Sequence, residues 1–201
     1  MAMRLPAAER REQLLSVALG VFAREGFHQT SMNDIADAAG ITKPVLYQHF
    51  SSKRELYLAL IDEAGRRLID AVSSAREKTT DGRRLTERGF LGYFTWVADD
   101  HDAFLLLFGG GARRDPEFNE AVLRITSQVA DTIEPLITAD IDPEHRRTLA
   151  HALVGLSEGV SRRLVNRGAD FDPRLIARQV SDLAWAGLRG VQRPVSTQRP
   201  E

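Results

Sequence analysis

The chain has 201 residues, 43% of them hydrophobic, and 27 Lys and Arg stand against 28 Asp and Glu for a formal net charge of −1. That length suits a small module plus one larger helical body, and the near-neutral balance argues against a protein that coats nucleic acid through bulk positive charge. There is no cysteine, which excludes disulfides, thiolate metal sites and cysteine nucleophiles.

The opening residues, MAMRLPAAERR, lack the apolar core of a signal peptide. The apolar run Ala103 to Phe108 is far too short to cross a bilayer. The sequence therefore predicts a cytoplasmic protein with no membrane partner. Met1 to Leu5, with Arg4, read as a mobile arm. A first helix is expected from about Pro6 to Arg24, with Leu14, Ala18, Val21 and Phe22 as its buried stripe. Gly26 should end it and Phe27 pack back over the end.

The next stretch, Thr30 to Leu56, reads TSMNDIADAAGITKPVLYQHFSSKREL. Ser31 and Asp34 stand at capping-box spacing, and Ile35 and Ala39 share a face. Gly40 supplies a left-handed residue and Ile41 an apolar plug. Thr42 is placed to cap a second helix, with Pro44 in its first turn, where a missing N–H costs nothing. Helix, glycine turn and helix within twenty residues is the helix-turn-helix plan. On the second helix Leu46 and Phe50 point inward as anchors. Gln48, Pro44 and Val45 face the opposite way, flanked by Lys43, Tyr47 and His49. Such a face can touch thymine methyls, bond an adenine edge through the Gln, and reach phosphates from its flanks. Lys53 and Arg54 add cationic donors at the start of the following helix. The competing reading, an ordinary solvated face, would favour Glu and Lys over this Pro, Val, Tyr, Gln and His.

The run GITKPVLYQHFSSKREL, Gly40 to Leu56, resembles the signature of the TetR family of bacterial transcriptional repressors. Gly40, Thr42, Lys43, Leu46, Tyr47, His49, Phe50, Lys53 and Leu56 all fit it. The likeness covers roughly the first fifty-odd residues; the rest is family-like in length and helical character only. It implies an all-α fold of about nine helices. Residues 1–52 would form a three-helix DNA-binding domain, 53–191 an effector-binding and dimerisation domain, and 192–201 a disordered tail. It also implies double-stranded operator DNA as a partner, a homodimer, and a small-molecule effector, with no cofactor and no enzymatic activity. The DNA-contacting candidates are Thr30, Ser31, Thr42, Lys43, Pro44, Val45, Tyr47, Gln48, His49 and Lys53.

Beyond the motif, a long helix should run from Ser52 to about Lys78 through Leu56, Leu60, Ala64 and Ile69, broken at Thr79 to Gly82. Helices are expected at Leu85 to Asp99 and Ala103 to Phe108. Their aromatics Phe90, Phe94, Trp96, Phe104 and Phe108 are candidates to line an effector pocket, one that would favour an apolar or aromatic molecule. Gly109, Gly110 and Gly111 end the second of these; no strand precedes them and no Lys-Ser/Thr follows, so a nucleotide phosphate loop is not indicated. A helix from Asp115 or Pro116 carries Val122, Ile125, Val129 and Ile133 inward until Pro135. Asp142-Pro143 and Asp172-Pro173 open the last two, reaching about Asn166 and Val191. On these, Leu149, Leu153, Leu156, Val160 and Leu164 form a stripe suited to the chain's own body. Ala152, Gly155 and Gly159, with Val180, Leu183 and Gly187, form a small-residue strip suited to a second copy of the chain. His101, His145 and His151 lack metal-site spacing, and no nucleophile signature occurs. The alternative to a DNA-binding regulator is an α-helical interaction module that never reads DNA.

Overall fold

The computed structural model of the chain describes residues 6–74, 81–168 and 170–191. The proposed arm Met1 to Leu5, the reach of the long helix to Lys78 with its break from Thr79, and the tail Gln192 to Glu201 lie outside the described residues. Among those described the fold is all-α: α1 (Ala7–Gln29), α2 (Met32–Ala38), α3 (Lys43–Tyr47), α4 (Lys53–Ser73), α5 (Gly82–Asp99), α6 (His101–Phe108), α7 (Pro116–Ile133), α8 (Pro143–Val165) and α9 (Pro173–Gly190). Short 3-10 turns sit at Ala112–Arg114 and Glu134–Leu136, the second at Pro135, where a missing N–H interrupts the ladder.

The chain folds as two compact units, Met1–Arg67 with Asp100–Ile125 and Leu68–Asp99 with Thr126–Glu201. In the first, α1 buries Leu14, Ala18, Val21 and Phe22 as its spacing predicts. Gly26 does break the helix (φ 78, ψ 164), but one further turn follows before Thr30. Phe27 then stacks back on Phe22, ring centroids 6.1 Å apart. Ile35, Leu46, Phe50, Leu56 and Leu60 complete this core at 1% exposure or less, and each such side chain stabilises the unit by roughly 1.5–3 kcal/mol. α6 belongs here too, packed along α1.

In the second unit α5 and α9 lie together along much of their length. Asp142 and Asp172 cap α8 and α9, accepting from the His145 and Arg174 backbone N–H groups. The Arg146 guanidinium donates to the Ile137, Ala139 and Ile141 carbonyls and so ties down the loop before α8. Two expected stripes shift by one position. On α4 it is Leu68, at 1% exposure, that is buried, and Ile69 is only half-buried. On α8 the inward residues are Ala150, Val154, Ser157 and Ser161, while Leu149, Leu153, Leu156, Val160 and Leu164 are half-covered. Small side chains let α8 sit close to its own unit, and the leucines turn toward the rim.

Candidate functional site

α2 and α3 are held at their angle by local chemistry. The Ser31 hydroxyl accepts from the Asp34 N–H at 3.2 Å, and the Ser31 N–H donates to the Asp34 carboxylate at 2.7 Å. That reciprocal pair, the backbone N–H first, keeps the Asp34 carboxyl below its ordinary value. Gly40 takes φ 64, and the Ile41 N–H bonds back to the Ala36 carbonyl at 3.0 Å. Thr42 occupies the N-cap of α3 and Pro44 its first turn, but the Thr42 hydroxyl makes no capping bond and stays exposed. Helical turns continue past α3, since the His49 and Phe50 N–H groups donate to the Leu46 carbonyl at 3.0 and 3.1 Å. Gln48 and His49 therefore extend the face that begins at Lys43.

Over the buried anchors Leu46 and Phe50, the residues Thr42, Lys43, Pro44, Tyr47 and Gln48 are exposed, with Val45 and His49 half-exposed. Tyr47 is 43% exposed, a large ring turned to solvent, and the Lys43 ammonium lies 5.9 Å from its centroid. Ser31 is exposed at the start of α2, its hydroxyl engaged with Asp34. Two candidates are placed otherwise. Thr30 is 1% exposed, and its hydroxyl donates to the Gly26 carbonyl at 2.8 Å, so it shapes the turn into α2 and presents nothing to a groove. Lys53 does not stand free either. Its ammonium donates to the Phe27 and Thr30 carbonyls, both at 2.7 Å, and lies 4.5 Å from the Phe27 ring centroid. Two of its three N–H groups thus fasten the end of α1 to the start of α4.

Arg54 is engaged as well. It forks onto Asp115 at 3.0 and 2.7 Å, reaches Glu117 at 2.7 Å, and covers the Phe118 ring at 4.7 Å. The guanidinium lowers the Asp115 carboxyl to about 2. Phe118 in turn meets Phe27 and Tyr57, centroids 4.8 and 4.5 Å apart, and burial lifts the Tyr57 phenol to about 12. This cluster ties the end of α1 to α4 and to the start of α7. Arg54 and its acidic partners lie 61 and 63 residues apart in sequence, so no local pattern announces the cluster.

The second unit holds a cleft with a cavity volume of about 50 Å³, set in about 590 Å³ of empty space that includes open solvent. Its wall is apolar, with Val72, Leu85, Phe90, Val129, Ile133 and Leu153 prominent, and no charged side chain lines it. Of the five aromatics expected around a pocket, only Phe90 is in this wall. Phe94 and Trp96 are buried in the same unit away from the lining. Phe104 and Phe108 belong to the other unit, where they pack on each other with centroids 5.3 Å apart. Tyr93 and Ser157, which line the cleft, carry no sequence signal beyond helical burial. Among the described residues no group of three or more His, Cys, Asp or Glu could hold a metal ion, and no helix is long and apolar enough to cross a membrane.

Residues 14–60 match the family described as bacterial regulatory proteins, tetR family. Over 190 residues the chain is 35% identical to the HTH-type transcriptional activator FasR of Mycolicibacterium smegmatis, spanning 94% of this chain and 87% of that protein. The chain belongs to the tetR family. It is also 27% identical over 187 residues to the HTH-type transcriptional repressor KstR2 of Mycobacterium tuberculosis, 90% of this chain and 80% of that one. The crystal structure of a TetR-like transcriptional regulator from Rhodococcus sp. RHA1 matches with a TM-score of 0.78 at 31% identity, covering 94% of this chain and 100% of that one. The protein is thus a DNA-binding transcriptional regulator of the TetR type, with its helix-turn-helix in the matched segment.

In this tetR-family chain both α8 and α9 leave small residues uncovered. Ala152, Gly155, Gly159 and Gly187 are exposed, and a Cβ added at any of the three glycines would meet nothing within 4 Å. On α9, Leu183 is 66% and Leu175 49% exposed. Val180, expected on the same strip, turns inward at 8% exposure.

Proposed function

We propose that this regulator is a repressor that binds a palindromic operator as a homodimer and is released by a small apolar effector held in the cleft of its second unit. Residues 1–52 act as the reading head and 53–191 as the effector-binding and dimerisation body. The observation that carries the reading is the exposed face from Thr42 to His49 over the anchors Leu46 and Phe50. Gln48 bonds an adenine edge, Pro44 and Val45 meet thymine methyls, and Lys43, Tyr47 and His49 flank them toward the phosphates. Thr42 donates its hydroxyl to the backbone, and Lys53 keeps one N–H for it.

One such helix reads only a few base pairs, so a two-fold pair is needed for a long, specific site. The uncovered leucines and small residues of α8 and α9 support pairing through a four-helix face. Support for the effector comes from the cleft. Its cavity volume of about 50 Å³ is well below the roughly 150 Å³ that takes a benzene ring, so a larger ligand must move side chains to enter. α4 carries Lys53 at its start and the cleft residue Val72 near its end; α7 carries Phe118 and then Val129 and Ile133. Movement of either wall helix therefore reaches residues that brace the reading head.

The test is selection of DNA from a random pool by the purified protein at near-physiological salt. Recovery of one inverted repeat supports both the operator reading and the dimer. Recovery of a single unrepeated half-site would refute the dimer, and no enrichment with or without an extract of cellular small molecules would refute operator binding by this face.

A further inference from the structure

Helix periodicity buries Tyr93, but the structure leaves its hydroxyl without a hydrogen-bond partner, at 4% residue exposure, in the wall of the cleft. The Ser161 hydroxyl, one turn along α8 from the lining residue Ser157, lies within its reach, and it too is buried without another partner. Two hydroxyls that bond to each other use one proton and leave the other, so the pair keeps a free donor. A buried donor left unpaired is costly, and native proteins rarely keep one without a use. The other hydroxyls of the wall are engaged. Thr86 donates to the Gly82 carbonyl at 2.8 Å and Ser157 to the Leu153 carbonyl at 3.0 Å.

Charge is absent from the same wall. Glu158 and Arg162, the ionic groups nearest Tyr93, pair with each other at 2.6 Å. Arg189 lines only the adjoining space, beyond Thr86, Leu136, Ile137 and Leu188. An anion placed against Tyr93 would be buried without compensation. A neutral acceptor there would take the free proton and leave the rest of the wall to apolar contact.

Resting on the effector reading above, we propose that the cleft selects an uncharged apolar molecule with one hydrogen-bond acceptor, such as a carbonyl or ether oxygen, and that Tyr93 donates to it. The test is titration of the intact protein with 2-hexanone, hexane and hexanoate at alkaline pH, read by the fluorescence of Trp96, whose ring lies 6.2 Å from that of Tyr93. 2-Hexanone is expected to bind roughly fivefold to tenfold more tightly than hexane, the value of one hydrogen bond to a buried donor, and more tightly than hexanoate. Tyr93→Phe should erase the ketone's advantage, with hexane binding in the same variant showing that the cleft persists. A ketone no better than hexane, an advantage that survives Tyr93→Phe, or hexanoate binding as well as the ketone would overturn the proposal while leaving the cleft as an effector site. Binding of none of the three would overturn the effector site itself.

Discussion

Lys53 offers the sharpest test of how the reading head is built. Replacing it with Met keeps most of the apolar stem and removes the ammonium. The Phe27 and Thr30 carbonyls each lose a donor at 2.7 Å, and the Phe27 ring loses a cation 4.5 Å from its centroid. Lys53 is half-buried, so water recovers part of the loss. Two bonds at the low end of the charged range and one exposed cation–π contact come to about 3.5 kcal/mol, and the part that water recovers leaves a net loss of about 2–3 kcal/mol. In a chain of this length that lowers the melting temperature by about 5–10 °C. The assay pairs thermal melting with operator affinity measured across a salt series. A lysine that fastens the head and spends its third N–H on a phosphate gives the drop in melting temperature together with weaker binding and a salt slope shallower by up to about 0.9. A purely phosphate-binding lysine would instead leave the melting temperature alone and shallow the slope by about 0.9. That second pattern would refute the fastening role.

The same residue marks where local sequence stops being informative. Ser31, Asp34, Gly40 and Pro44 sit where their pattern places them, because caps and glycine turns are decided within four or five residues. The outward face of α3 was legible for the same reason: Leu46 and Phe50 fix which side is down. Lys53 fits the family signature, but its partners lie twenty-three and twenty-six residues back, and only the fold brings them within reach. The aromatics teach a related lesson. Periodicity says correctly that Phe94, Phe104 and Phe108 are buried, but burial carries no address, and α6 packs with α1 in the other unit from the cleft. On α8 the leucine spacing predicts an inward stripe of large side chains. Close helix approach put Ala150, Val154, Ser157 and Ser161 inward instead, a choice that depends on neighbours the sequence of α8 does not contain.

Four further outcomes are expected. Gln48→Ala should cost about 1–3 kcal/mol on the selected operator and relax base preference at one position per half-site; equal weakening on random DNA would remove Gln48 from base reading. Leu183→Glu puts a charge on a side chain already 66% exposed, so the fold should hold while light scattering reports a monomer and operator affinity falls; an intact dimer would move the interface elsewhere. Asp115 has its carboxyl lowered by Arg54 from an ordinary 3.8 to about 2, so its ion pair stabilises the fold above about pH 4 and fades as pH falls toward 2. The gap in melting temperature between wild type and Asp115→Asn should therefore be full near pH 6 and shrink below about pH 4, and a gap independent of pH would exclude the ion pair as its source. The last comparison uses two glycines one turn apart on α5. Alanine in a helix interior is favoured over glycine by about 0.5–1 kcal/mol, and at Gly89 a Cβ meets nothing within 4 Å, so Gly89→Ala should stabilise by up to that amount. At Gly92 the Cβ would fall 2.2 Å from the Ala71 carbonyl oxygen, a backbone atom that cannot swing aside, so α4 and α5 must separate and Gly92→Ala should destabilise by about 1–3 kcal/mol. Urea unfolding of the two variants decides it: effects of the same sign would mean that α4 and α5 do not approach as closely as Gly92 allows.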